Sequence, residues 1–379
     1  MKRAIPLLAL VCLLANAPGD VHASGWVLNG VRRPKLAEEL EGVSCVKGSC
    51  VAVGISGQSP LILTSSQLVT GTWREGGRNV SAGQFEPHKV SCTKKSFCAA
   101  VGYDRNQNEP RHDVILMRSG STKWKEVATA VSPGDASESL QDVSCVNPQF
   151  CVAVGVTPLL NGAYQPVIKM WNGVEWAFAE NPTLPGSAAL EHVSCATPDF
   201  CVSSGRSRPD SGIPRVLIEM WNGNQWSASV MPDQPQLYWF NGVSCSSPTD
   251  CIGVGGILQE DPVTLLKTSL PHAMRWDGSS WSPIPVPTAD LGPGDAYFFS
   301  VSCAAPNQCV AVGVAENWTK SLIEVWDGVS WTRQEAPNPG TEVNYLYDVS
   351  CLADSRCTAV GGASDGLGSR AVVVSRRPR

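Results

Sequence analysis

The sequence predicts an all-β fold, a seven-bladed β-propeller of four-stranded antiparallel blades, on three observations. A phrase of the type VSCVNPQFCVAVG, here residues 143–155, occurs seven times along the 379 residues. The first cysteines of the copies are Cys45, Cys92, Cys145, Cys195, Cys245, Cys303 and Cys351, between 47 and 58 residues apart. Four copies continue into a second phrase of the type VIKMWNGVEW, residues 167–176. A period near 50 across a whole chain marks a repeat architecture whose units bury their cores against one another. Four strands per unit in seven copies describe a closed propeller.

The chain opens with MKRAIPLLALVCLLANAPGDVHAS, in which Lys2 and Arg3 precede an apolar run from Ala4 to Leu14 and the small-residue site Val21-His22-Ala23. This is the pattern of a secretory signal peptide over residues 1–23, too short and too soon followed by Pro18, Gly19 and Asp20 to span a bilayer. Residues 24–379 are expected to form the propeller alone. Within a repeat, an apolar residue ahead of Val-Ser-Cys, as in LQDVSC (140–145), LEHVSC (190–195) and LYDVSC (346–351), sets the first strand, and CVAVG (151–155) the second. The five residues between the cysteines, four in the first copy, make a hairpin turn. A third strand leads into Trp-Asn-Gly or Trp-Asp-Gly at Trp171, Trp221, Trp276 and Trp326, where the dipeptides predict type I′ turns with positive φ at both central residues. The fourth strand carries Trp73, Trp124, Trp176, Trp226, Trp281 or Trp331. The seventh repeat ends after its third strand, RAVVVS (370–375), while Trp26 stands 19 residues before Cys45. The missing strand is therefore expected from the amino terminus, paired with 370–375 and closing the ring without open sheet edges.

Of the 15 cysteines, Cys12 leaves with the signal peptide and two remain per repeat. In an exported chain an even count reads as disulfides. The expected pairs are Cys45 with Cys50, Cys92 with Cys98, Cys145 with Cys151, Cys195 with Cys201, Cys245 with Cys251, Cys303 with Cys309 and Cys351 with Cys357. Zinc sites use tighter cysteine pairs converging with one another or with histidines, and His88, His112, His192 and His272 share no repeat position. No metal and no cofactor are expected. A net charge of −5 without basic runs argues against nucleic acid, whose affinity rests on neutralising phosphates. No second long apolar run follows the signal, so no membrane span is expected and the chain is read as a secreted, extracellular monomer.

The phrases L-x-x-V-S-C, C-V-A-V-G and W-D/N-G-x-x-W, for example at 140–145, 151–155 and 326–331, resemble the repeats of BNR/Asp-box propellers, a group that includes sialidase-like and photosystem-assembly propellers. They are closer still to the cysteine-paired propellers of secreted proteins from actinomycete-type bacteria. The resemblance extends over nearly all of residues 24–379 and implies the fold. It implies no single function, because propellers host unrelated activities. Two departures stand out: Asp277-Gly278 and Asp327-Gly328 are adjacent where an Asp box has an intervening residue, and the sialidase RIP motif is absent.

No catalytic residue is assigned. The cysteines are committed to pairs, and the seven serines of V-S-C (Ser44, Ser91, Ser144, Ser194, Ser244, Ser302 and Ser350) recur too regularly for a nucleophile. His192 beside Ser194 lacks a third group. The residues that the repeat does not explain are aromatic. Trp239 in QLYWFNG precedes a first strand and Trp318 in AENWTKS lies between a second and a third, two connections that emerge on one face of a propeller. Tyr238, Tyr297, Phe299, Tyr345 and Tyr347 fall around the same mouth, with Asn241, Glu316, Lys320 and Asn344 placed to hydrogen-bond a ligand. Exposed aromatics on loop-built faces serve as binding anchors, and packing between blades is the other reading of Trp239 and Trp318. The 256–274 segment, the longest connection, is expected to tuck its VTLL against this face or to wall the site. The expected function is a binding module for extracellular or cell-envelope glycan, with a secreted or envelope protein partner as the alternative and polysaccharide hydrolysis or lysis as a third reading.

Overall fold

The computed structural model describes residues 25–31, 38–67, 71–76, 85–104, 112–120, 123–129, 138–159, 161–209, 212–231, 236–262, 264–366 and 368–376. The expected signal peptide, Cys12 and Val263 lie outside them. The described residues form seven four-stranded antiparallel sheets in the order of the chain. Blade four is representative, with strands Ser187–Thr197, Phe200–Arg208, Arg215–Trp221 and Trp226–Val230. Blade seven takes its fourth strand, Trp26–Leu28, from the amino-terminal end of the chain. Trp26 pairs with Arg376, Val27 with Ser375 and Leu28 with Val374, one residue beyond the expected 370–375 edge.

The core lies between blades. Phe97, Val101 and Ile115 of blade two pack with Leu140, Val143, Trp171 and Trp176 of blade three. Leu40, Val43 and Trp73 of blade one pack in the same way against Val360 and Val373 of blade seven. The fourth-strand tryptophans seal these layers, Trp73 at 1% exposure and Trp176 at 3%. Burying an indole this completely stabilises a layer by a few kcal/mol.

The V-S-C serines are structural. Each serine Oγ accepts a hydrogen bond from the backbone N–H of the first cysteine in the next blade, at 2.9–3.0 Å, from Ser44 with Cys92 through Ser302 with Cys351. Ser350 with Cys45 completes the circle at 3.0 Å. One hydroxyl per blade thus satisfies an amide that no sheet ladder reaches.

All seven expected disulfides are present, one per blade. Cys45 is bonded to Cys50, Cys92 to Cys98, Cys145 to Cys151 and Cys195 to Cys201. Cys245 is bonded to Cys251, Cys303 to Cys309 and Cys351 to Cys357. The two cysteines of each pair are also cross-strand partners, Cys195 facing Cys201 in blade four, so the bridge spans the first two strands of its own sheet. The second cysteine is the deeper one: Cys50, Cys98, Cys151, Cys201, Cys251 and Cys309 are fully buried and Cys357 nearly so. Each disulfide closes a short loop and contributes about 2 kcal/mol by chain entropy.

Two local expectations are corrected. The Trp-Asn/Asp-Gly turns are four-residue loops, not type I′ pairs: Trp171 pairs directly with Trp176. Asn172 Oδ1 accepts the N–H groups of Val174 and Glu175 at 2.9 and 3.0 Å, and Gly173 alone in this loop has positive φ, at 96°. The side chain closes the loop, an Asx turn, so the backbone need not fold more tightly. The tryptophan ahead of each turn donates its indole N–H to a proline carbonyl of the cysteine loop, Pro148, Pro198, Pro248 or Pro306, at 3.0–3.2 Å. The second correction concerns 256–274. Most of it is strand, Asp250–Glu260 and Lys267–Trp276 extending blade five as a hairpin. Leu265 and Leu266 project at its tip, each 68% exposed, so they neither tuck against the face nor wall the site.

Candidate binding site

Every first strand carries a bulge at one repeat position, four residues before the first cysteine. The register skips Glu41, His88, Gln141, Glu191, Asn241, Phe299 and Tyr347 in blades one to seven. A bulge re-aims a side chain out of the pleat. Here it turns one residue per blade into the channel, and all seven line a single cavity of about 530 Å³ at its mouth, together with Glu39, Ile55, Glu86, Lys89, His192 and Arg206. The same bulge accounts for the glycine of CVAVG. A Cβ on Gly155 would sit 2.1 Å from the Ser139 carbonyl oxygen.

Two residues before each bulge lies a second ring of positions: Glu39, Glu86, Ser139, Ala189, Trp239, Tyr297 and Tyr345. Across both rings, blades five to seven supply aromatics, with Asn241 the exception. Blades one to four supply charged, polar or small residues. The aromatic half is one connected cluster. Trp239 meets Tyr297 at 6.1 Å between centroids, Tyr297 meets Phe299 at 5.3 Å, and Phe299 meets Tyr347 at 4.8 Å. Trp318 contacts Tyr297, Phe299 and Tyr345, and Tyr345 lies 4.6 Å from Tyr347.

Of the expected site residues, Asn241, Phe299 and Tyr347 line the cavity. Trp239, Tyr297, Trp318 and Tyr345 buttress them from behind. Trp239 lies in the strand Tyr238–Ser247, not in the connection before it, with its ring over its cross-strand partner Gly256. A Cβ on Gly256 would meet the indole at 2.4 Å, and one on Gly362 would meet the Tyr345 hydroxyl at 2.3 Å. Blades five and seven are the two whose second strand continues Val-Gly-Gly. That second glycine is the signal in the chain for the aromatic seat, and the sequence reading missed it.

Trp318 is held by its backbone. Glu316, Asn317 and Trp318 have φ of 52°, 54° and 73°, a run of left-handed residues without glycine. Such a run costs roughly 1–2 kcal/mol per residue and persists where the surroundings over-determine it. Asn317 Oδ1 accepts the Asp295 N–H at 2.8 Å, and the Trp318 carbonyl accepts the Asn344 N–H at 2.8 Å.

The other four expected residues are not among those lining the cavity. Tyr238 is buried at 7% exposure among Phe240 and the blade-four core, turned away from the mouth. Asn344 is 1% exposed and its amide holds loop backbone, donating to the carbonyls of Thr319 and Gly340 and accepting the Gly340 N–H. Its role is to fix the Trp318 loop. Glu316 packs its side chain on Gly292, and Lys320 is exposed at the start of a third strand.

Below the mouth the next repeat position supplies Lys89, Asp142, His192 and Asp348. Lys89 Nζ lies 2.8 Å from Asp348 Oδ1, and Asp348 also accepts the Val43 N–H and the Ser300 hydroxyl. Burial pushes the Asp142 carboxyl up to about 7 against the opposing pull of Lys89. Burial, with Lys89 and Arg206, pushes His192 down to about 3. His192 is therefore neutral, and Ser194 Oγ accepts the Cys245 N–H as its part in the inter-blade circle.

By sequence the chain matches no protein-family model and no curated protein. Solved structures share its shape. YCF48 bound to D1 peptide is 11% identical over 94% of this chain and 96% of its own, with a TM-score of 0.56. The β-propeller domain of the Trilobed protease from Pyrococcus furiosus is 8% identical over 90% and 95%, with a TM-score of 0.54. A polysaccharide lyase, an ulvan lyase, is 12% identical over 89% and 95%, with a TM-score of 0.53. The chain is a propeller like these. At such identities the likeness extends to the fold alone.

Proposed function

We propose that the protein is an exported binding module, released from a signal peptide over residues 1–23 and kin to the secreted cysteine-paired propellers, that recognises glycan at the channel mouth. One observation carries the reading: Phe299 and Tyr347 line a 530 Å³ cavity, and four further aromatic rings of blades five to seven pack with them in one connected cluster. Aromatic faces cover the apolar faces of sugars, while a few placed polar groups orient the hydroxyls. Strain concentrated at Trp318 supports a binding role, since strained backbone clusters at ligand clamps. Seven disulfides support an oxidising destination, and no helix among the described residues is long and apolar enough to cross a membrane.

The test is a screen of extracellular and cell-wall glycans with the native protein, with Phe299→Ala in the cavity lining and with Trp318→Gly behind it. Glycine accepts a φ of 73° without strain, so the variant removes the ring and leaves the loop. Binding is expected to fall about thirtyfold, equivalent to roughly 2 kcal/mol, with the melting temperature changed by a few degrees at most. Unchanged affinity in both variants would move the site away from this face. A second reading, an adaptor for a protein partner, draws on the exposed Leu265 and Leu266 at the blade-five tip. It predicts that the glycan screen is blank and that Leu265→Ser/Leu266→Ser abolishes capture of an envelope protein.

A further inference from the structure

We propose that the mouth selects a cationic glycan, one bearing free amino groups, with an ammonium held at the seam of blades seven and one between Glu39, Glu41 and the faces of Tyr347 and Phe299. The proposal rests on the glycan reading and names the class of sugar.

The seam is where the two halves of the mouth meet. Glu39 and Glu41 lie on the first strand of blade one, and the Tyr345 hydroxyl of blade seven donates to Glu39 Oε1. Glu41 lines the cavity beside Tyr347 and Phe299. A cation set against an aromatic face and within reach of carboxylates gains from both, more so in a partly desolvated cavity. The charge of the lining has the matching sign. Glu39, Glu41, Glu86 and Glu191 face Lys89 and Arg206. The two basic groups are already engaged: Lys89 with Asp348 at 2.8 Å, and Arg206 with Glu191 on the far side of the mouth. Around Glu41 stands His88, whose Nδ1 is 3.9 Å away, and Glu86 accepts the Tyr103 hydroxyl. The field of these carboxylates registers on their neighbours. Burial first, then Glu39 and Glu41, push the Tyr347 phenol well above its ordinary range, so negative potential reaches the aromatic wall. An anionic sugar placed here meets repulsion at the seam, and a neutral one forgoes the charge.

Binding of glucosamine oligomers is compared with that of N-acetylglucosamine oligomers of equal length, a neutral glucan, a uronic-acid oligomer and oligolysine, using the native full-length mature protein. Glucosamine oligomers are expected to bind at least tenfold more tightly than their N-acetylated counterparts, and to weaken as salt rises from 50 to 500 mM. Glu39→Gln/Glu41→Gln is expected to erase most of that preference while keeping the acceptor for Tyr345. If the double variant unfolds, the acetylation contrast and the salt series on native protein decide alone. Equal binding of both oligomers, or tighter binding of the uronic acid, overturns the charge selection and leaves the glycan reading standing. No binding by any sugar overturns both. Oligolysine binding without sugar binding assigns the seam to a basic peptide and overturns the proposal.

Discussion

Single side chains decide where this structure is under tension. Glu219, in the third strand of blade four, is fully buried, and neither carboxylate oxygen accepts a hydrogen bond. Burial pushes it from 4.5 up to about 7. Because the folded value lies above the unfolded one, the native state bears no penalty below about pH 4.5, an increasing one between 4.5 and 7, and the full one above. Glu219→Gln is expected to match the wild type in urea unfolding at pH 4 and to exceed it at pH 8 by on the order of 3 kcal/mol. Equal stability at pH 8 would mean that the carboxylate is hydrated. His192, at about 3, and His272, at about 4, act in the opposite sense, destabilising the fold as pH falls through their unfolded value near 6.5. Nothing in the local sequence sets Glu219 apart, since blades three and six place Lys169 and Glu324 at the same position with ionic partners. Its partner is missing from a different strand, and only the packed blade shows that.

At the scale of the strand, the repeat phrase V-S-C is a pair of clasps. The disulfide closes its own hairpin and the serine hydroxyl fastens the next blade. Ser194→Ala leaves the Cys245 N–H without its acceptor and is expected to lower stability by about 1–2 kcal/mol. Ser279→Ala, in an exposed turn, is expected to stay within about 0.5 kcal/mol. Denaturant midpoints at constant m-value distinguish the two, and equal effects would remove the serine circle from the account. Strand identity was legible because cysteine spacing and alternation set it locally. The turn type after Trp171 was not, because the Asx side chain competes with the tight backbone turn and wins. The 256–274 hairpin was misjudged for a related reason. Its sequence lacks alternation, and cross-strand pairing as far as Glu260 with Lys267 outweighs local propensity.

At the scale of the molecule, the closing strand is the joint. Trp26 is 4% exposed in the layer between blades six and seven. Asn29 donates its backbone N–H to the Val373 carbonyl at 2.8 Å and its amide to Ser375 Oγ at 2.6 Å. Deleting residues 24–31 leaves an open edge on blade seven and is expected to lower the melting temperature of the whole ring by more than Trp26→Ala, itself costing about 3–5 kcal/mol. A deletion variant that melts with the native curve would show that closure contributes nothing. Thiol titration of the unfolded, unreduced mature protein is expected to find no free cysteine.

Blade number, strand order, the seven disulfides and the split seventh blade were determined by sequence alone, because a covalent period and a leftover Trp26 constrain the chain without reference to distant contacts. The aromatic surplus of blades five to seven was equally visible as residues outside the repeat. What only the tertiary structure decided is which of those residues face the ligand. A one-residue bulge, invisible in composition, turns Phe299 and Tyr347 inward and leaves Trp239 and Trp318 behind them. Ring closure then sets Glu39 and Glu41 against Tyr345 and Tyr347, residues some 300 positions apart that meet because the last blade lies beside the first.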